Sequence, residues 1–66
     1  MTPAQLRKAG ETLARNNPIY GRGWQSALAR VIGVDSRRVR AWLSGELLIS
    51  KAMGMLIERL VKESRR

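Results

Sequence analysis

The stretch that decides the fold is residues 25–44, Gln-Ser-Ala-Leu-Ala-Arg-Val-Ile-Gly-Val-Asp-Ser-Arg-Arg-Val-Arg-Ala-Trp-Leu-Ser. Leu28, Ala29 and Ile32 recur at three- and four-residue spacing, which places them on one face of a helix. We expect Gly33 to end that helix, because glycine adopts the left-handed conformation of a helix C-cap at little cost. The stretch therefore predicts two short helices joined by a tight turn at Gly33.

The residues after the turn predict the second of these helices. Asp35 or Ser36 supplies its N-cap, and Val39, Trp42 and Leu43 form its inner face at positions i, i+3 and i+4. Trp42 is therefore expected in the core.

The opposite face of this helix is basic. At about 100° per residue, Arg37, Ala41 and Ser44 lie opposite Val39, and two further arginines flank them. A pair of short helices with arginines on its outer face is typical of proteins that enter the major groove of DNA.

These residues resemble the Cro/repressor-type helix-turn-helix family, the lambda-repressor-like or XRE-like DNA-binding domains. With residue 25 as the first motif position, that family has alanine at the fifth position, glycine at the ninth and an aliphatic residue at the tenth. It has further apolar residues at the fourth, eighth, fifteenth and eighteenth positions. Every one of these positions is filled here, by Leu28, Ala29, Ile32, Gly33, Val34, Val39 and Trp42. The resemblance covers roughly residues 6–61, since residues 42–46 also resemble the family's link to its next helix.

The resemblance implies which side chains contact bases. The family's base-contacting positions fall on Ser36, Arg37 and Ala41, and the helix geometry selects Arg37 as well. An arginine can bond guanine O6 and N7 together, which is worth about 1–3 kcal/mol of discrimination. The alternative for each arginine is an ordinary solvated helix face. The predicted base contacts are Ser36, Arg37, Arg40, Ala41 and Ser44.

Phosphate contacts are expected around this helix. In the family, the start of the second helix lies against the DNA backbone, and N–H groups at a helix N-terminus favour an anion. The loop after the recognition helix is basic in many relatives, but residues 46–49 here read Glu-Leu-Leu-Ile, so we expect no phosphate contact from that loop. The predicted phosphate contacts are Arg22, Gln25, Ser26, Arg38 and Lys51.

The remaining sequence predicts two more helices. Thr2-Pro3-Ala4-Gln5 has the pattern of a helix start, and Leu6, Ala9 and Leu13 follow on one face. Ser50 is expected to cap a last helix that runs to about Glu63. Its apolar set is Ala52, Met53, Leu56, Ile57, Leu60 and Val61, with Met55 in addition. The prediction is an all-α, compact four-helix domain over residues 1–66, with a fifth helix left open, and the placement of Trp24 and Tyr20 is left open too.

Leucines in the loop before the last helix suggest a contact between two copies of the chain. Repressors of this type usually bind as two-fold dimers, with recognition helices about 34 Å apart along the DNA. The alternative is that these leucines cover the protein's own core. The predicted dimer surface comprises Leu47, Leu48, Met53, Met55 and Leu56.

The amino-acid composition favours some classes of function and argues against others. The 66 residues include 13 Lys and Arg against 5 Asp and Glu, a net charge of +8 that favours a polyanionic partner. There is no cysteine or histidine, so we expect no disulfide, zinc site, other metal site or cofactor. The five acids show no paired arrangement for general acid–base catalysis, and we expect no enzymatic activity.

The expected function is therefore a DNA-binding transcriptional regulator, most simply a homodimeric repressor on an inverted-repeat operator in double-stranded DNA. Many relatives belong to phages or other mobile elements and repress their own operon, and the autorepressors that accompany anti-CRISPR genes are one such group. The alternatives are an antitoxin with a toxin partner, a nucleic-acid or architectural protein without sequence preference, and a protein- or membrane-binding module. No signal peptide or apolar run of about 20 residues is visible, so we expect a cytoplasmic location without a membrane partner.

Overall fold

The computed structural model describes residues 1–21 and 23–65, and these residues form four α-helices and no β-strand. The predicted all-α class and the four helices are confirmed, and the described residues contain no fifth helix. Their radius of gyration is 10.6 Å. The helices are α1 (Pro3–Asn16), α2 (Trp24–Ile32), α3 (Ser36–Ser44) and α4 (Lys51–Ser64).

The start of α1 has the predicted capping box. The Gln5 backbone N–H donates to Thr2 Oγ1 at 3.1 Å, and the Thr2 N–H donates to Gln5 Oε1 at 2.8 Å. Each side chain thus satisfies a backbone N–H group that the first turn of a helix leaves without an internal partner. Pro3 follows the cap, where its missing N–H costs no hydrogen bond.

The turn between α2 and α3 has the geometry that the sequence predicts. Gly33 has φ of 79°, in the left-handed region. The Val34 N–H donates to the Ala29 carbonyl at 2.9 Å, which closes the hydrogen-bonded helix end known as the Schellman motif. Val34 itself is half-buried against the core. The chain therefore reverses direction within three residues, because glycine can enter the left-handed region without strain.

Local chemistry also defines the two ends of α3 and the start of α4. Asp35 is the N-cap residue of α3 by backbone conformation, although its side chain makes no capping hydrogen bond. Gly45 ends α3 with φ of 87°. Ser50 Oγ accepts from the Met53 N–H at 3.2 Å at the start of α4. That helix ends at Ser64, one residue later than expected.

All four helices contribute to one core. Its five largest fully buried side chains are Leu6, Leu13, Leu28, Val39 and Ile57. Trp42 is buried as predicted, and so is Tyr20. Trp24 is half-buried and packs against the same core. The sequence left the placement of Tyr20 and Trp24 open, and the structure places both side chains inward.

Two members of the apolar set of α4 lie outside the core. Ala52 is exposed, and Leu56 is 37% exposed. The buried face of α4 is instead formed by Gly54 and Ile57, with half-buried neighbours that include Met53, Leu60 and Val61. Helical periodicity alone shows which residues share a face, but Ala52 and Leu56 point to the side of α4 that no other helix covers.

Helix α1 contacts all three other helices. A close approach occurs at Gly10, because a Cβ atom added there would overlap the Trp24 ring. The two long helices, α1 and α4, run side by side in the same direction. Met1 lies beside Gly54 near their N-terminal ends, and Asn16 Nδ2 donates to Ser64 Oγ at 3.3 Å at the other end.

We expect Gly10→Ala to destabilise the fold by about 1–3 kcal/mol, the usual cost of overpacking. The added methyl group collides with the Trp24 ring, and this outweighs the gain of about 1 kcal/mol in helix propensity. Urea unfolding measured by circular dichroism checks the change. Gly54→Ala is the matched control, since the nearest atom to its added methyl group is Met1 Cβ at 3.3 Å, a tight contact without overlap. Equal stabilisation by both substitutions would contradict the Gly10–Trp24 packing.

Burial raises the pKa of the Tyr20 hydroxyl above its ordinary value of 10.0. Both folded and unfolded chains keep this proton at neutral pH, so Tyr20 gives no pH dependence there. Above about pH 10 the unfolded chain loses the proton more readily, and the free energy of unfolding falls. We expect Tyr20→Phe to remove this contribution, measured as a smaller loss of stability between neutral and strongly alkaline pH. An identical loss in both proteins would contradict it.

Candidate nucleic-acid interface

The outer face of α3 is strongly basic. Arg37, Arg38 and Arg40 are exposed, whereas Val39 and Trp42 are fully or almost fully buried on the opposite side. This division arises from the helix period, since the two buried residues lie three apart and the arginines occupy the remaining directions. The helix therefore presents three guanidinium groups to solvent from a face held by the core.

The orientation of this face is determined by packing on two sides. Helix α3 contacts both α1 and α2, and the Gly33 turn limits how far α3 can move relative to α2. Ala29, on the buried face of α2, is only 3% exposed. Its single methyl group allows the two helices to approach closely.

Within the described residues, the three arginines have no carboxylate partner. Within residues 1–21 and 23–65 the ion pair closer than 4.0 Å joins Arg59 and Glu63, in α4. Helix α3 has no acidic residue, and the nearest acids in sequence are Asp35 and Glu46 at its two ends. The guanidinium groups thus retain their full hydrogen-bonding capacity for an external anion.

The other predicted base-contacting residues have different surroundings. Ser36 and Ala41 are half-buried on α3, and Ser44 is exposed at its last position. Ser44 Oγ donates to the Ala41 carbonyl at 3.0 Å and accepts from the Glu46 N–H at 3.4 Å. Its hydroxyl is therefore already used in closing the end of α3, whereas the arginines are free to reach outward.

The predicted phosphate-contacting residues are spread over three elements. Gln25 is half-buried and Ser26 exposed in the first turn of α2, which follows an N-cap glycine without a side-chain capping bond. Arg38 is exposed on α3, and Lys51 is exposed as the first residue of α4. Arg22 lies outside the described residues.

Exposed apolar residues in the α3–α4 loop and on α4 together form what we call the apolar patch. We define it as Leu47, Leu48, Met55 and Leu56, of which Leu48 is 93% and Met55 61% exposed. Leu48 therefore does not cover this protein's own core. Met53, the fifth residue of the predicted dimer surface, is half-buried and packs against the core, so the core restricts its access to a partner.

Sequence reasoning missed one further group of charged residues, on α1 and α4. Lys8, Arg59 and Lys62 line a shared groove together with Arg65. The parallel arrangement of α1 and α4 brings these cations to one groove. The only sequence signal is the spacing of Arg59 and Lys62, which lie three residues apart on α4.

Comparisons of the chain with protein-family models, with curated proteins and with solved structures returned no match. None of the helices in residues 1–21 and 23–65 is long and apolar enough to cross a membrane.

Proposed function

We propose that the protein is a sequence-specific double-stranded DNA-binding regulator of helix-turn-helix type. In this proposal α2 and α3 form the helix-turn-helix unit, and α3 is the recognition helix. The observation that carries the proposal is the exposed set of Arg37, Arg38 and Arg40, which form no ion pair within the described part of the chain, on a helix whose other face is buried. Rigid placement matters because base readout needs side chains held in one register.

The dimensions and charge of α3 are compatible with the major groove. An α-helix with its side chains is about 10–12 Å across, and the major groove is about 12 Å wide and admits it. The net charge of +8 supplies long-range attraction to the phosphate backbone.

Within this proposal the α3 side chains have separate roles. Arg37 lies at the centre of the outer face and reads a guanine through O6 and N7, while Ala41 beside it can contact a thymine methyl group. Arg38 and Arg40 lie on the two shoulders, where Arg38 meets a phosphate and Arg40 reaches a base edge. Residues of the first turn of α2, with Lys51, contact the backbone and define the register.

We propose further that two copies bind together through the apolar patch and repress transcription by occupying a promoter. Exposed apolar area of this kind is costly in water and favours burial against a partner. A two-fold dimer places two copies of α3 on successive turns of one DNA face, which requires an inverted-repeat operator. Repression of the protein's own operon is the simplest form of this regulation.

Selection of bound duplexes from a random DNA library at near-physiological salt tests the DNA-binding proposal. We expect enrichment of an inverted repeat with half-site centres about one helical turn apart. Equal retention of all sequences would indicate a nucleic-acid binder without sequence preference. A lack of retention would reject DNA binding.

On the selected site, Arg37→Ala is expected to relax the preference at one base pair per half-site by about 1–3 kcal/mol. Arg38→Ala should weaken all sequences alike and reduce the salt slope by about one. Arg7→Ala is the matched control, because Arg7 is an exposed arginine on α1. An unchanged site preference in Arg37→Ala, measured by competition binding, would reject the assignment of α3 as the recognition helix.

Leu48→Glu tests the dimer, since it places a charge on the most exposed leucine of the apolar patch. We expect sedimentation equilibrium to show a monomer, with binding to the full operator reduced at least tenfold and binding to a half-site little changed. Ile19→Glu is the control, because Ile19 is 66% exposed in the α1–α2 loop, outside the patch. A wild-type protein that is monomeric both free and on DNA would rule out the dimer.

A further inference from the structure

A groove runs between α1 and α4, and none of its lining residues belongs to α2 or α3. Its volume is about 730 Å³, within the usual range of binding clefts. Its apolar floor is formed by Met1 and Ala9 on one side and by Met55 and Val61 on the other. We call it the α1/α4 groove.

The rim of the groove is basic. Lys8 on α1 and Arg59, Lys62 and Arg65 on or after α4 line it, against the single carboxylate of Glu58. Arg59 is paired with Glu63 at 3.7 Å, but both side chains are largely exposed, so this pair compensates the charge only weakly. The groove therefore combines apolar surface with an excess of positive charge.

The positive charge continues to the end of the paired helices. Arg65 also lines a smaller hollow with Arg15, Asn16 and Ser64, where the Asn16–Ser64 hydrogen bond ties the two helix ends together. Each of α1 and α4 has 14 residues, which corresponds to a length of about 21 Å. A basic and apolar track of that length accommodates about four turns of a third helix.

We propose that the α1/α4 groove binds an acidic amphipathic helix of a partner protein. Apolar side chains of such a helix at i, i+3, i+4 and i+7 would lie on the apolar floor, as in other helix-in-groove complexes. Glutamate or aspartate residues beside them would meet Lys8, Lys62 and Arg65. Such a helix would cover the apolar floor and neutralise the basic rim at the same time. The proposal does not depend on DNA binding by α3.

Two other occupants match only one of the two features of the groove, its charge or its apolar floor. Pairing the groove with the same groove of a second copy would bring its cations, Lys8, Lys62 and Arg65, against one another. A nucleic acid would satisfy the rim but leave the apolar floor without a partner, because its backbone is uniformly charged. An acidic, apolar-faced helix is complementary to both features.

The test measures fluorescence anisotropy of a labelled amphipathic peptide of about 14 residues, with leucines at i, i+3, i+4 and i+7 and glutamates elsewhere. The variant is Lys8→Glu with Lys62→Glu, because both side chains are exposed and one comes from each helix. We expect at least tenfold weaker binding, with an unchanged circular dichroism spectrum. Arg7→Glu with Arg30→Glu makes the same change of charge outside the groove and is expected to leave binding within about twofold of wild type.

A scrambled peptide of identical composition provides the second control, and it should bind at least tenfold more weakly than the amphipathic one. Equal binding of both peptides, or equal loss in both double variants, would overturn the proposal, because it would reflect net charge alone.

Binding to phosphatidylglycerol vesicles without peptide binding would point to a membrane surface instead. A changed sedimentation coefficient of the free Lys8→Glu, Lys62→Glu protein would indicate a second copy, and a loss of duplex binding greater than that of the Arg7→Glu, Arg30→Glu protein would indicate a nucleic-acid surface. Each of these results would reject the partner helix.

Discussion

The buried face of α1 is the constraint on which the rest of the structure depends. This helix touches all three others, and Leu6 and Leu13 are among the largest fully buried side chains. Gly10 lets the Trp24 ring lie directly on the helix backbone, so α2 is held close to α1 from its first residue. In a chain of 66 residues the core is small, and each such contact is a large part of the total stability.

This packing separates the surface into two regions of different chemistry. Helix α3 is held by α1 and α2 and presents arginines that form no ion pair in residues 1–21 and 23–65. This surface is suited to an anion whose hydrogen-bonding groups have a fixed geometry. The α1/α4 groove places cations beside apolar side chains, a surface suited to an amphipathic partner. Met55 belongs to both the groove and the apolar patch, so partner binding and contact between two copies of the chain would meet at this residue.

Local chemistry accounts for the parts of the fold that could be read from the sequence. The capping box of Thr2 and Gln5, the left-handed Gly33 and Gly45 and the Ser50 cap involve residues at most five apart. The inner face of α3 was predictable for the same reason, because Val39 and Trp42 follow the helix period. The basic face of α3 then follows directly. Whether it contacts DNA is a proposal that rests on this geometry and on the resemblance of residues 25–44 to a known motif.

The sequence by itself thus determined the four helices, their ends and the face of α3 that carries the arginines, because these depend on backbone conformation and helical period. Tertiary structure decided which side of α4 stays uncovered, so that Ala52 and Leu56 are exposed while Gly54 and Ile57 are buried. It also placed Tyr20 and Trp24 inward, and it brought Lys8 and Lys62 to the lining of one groove. These features depend on how helices far apart in sequence pack together, and a helix period contains no information about which neighbour covers each face.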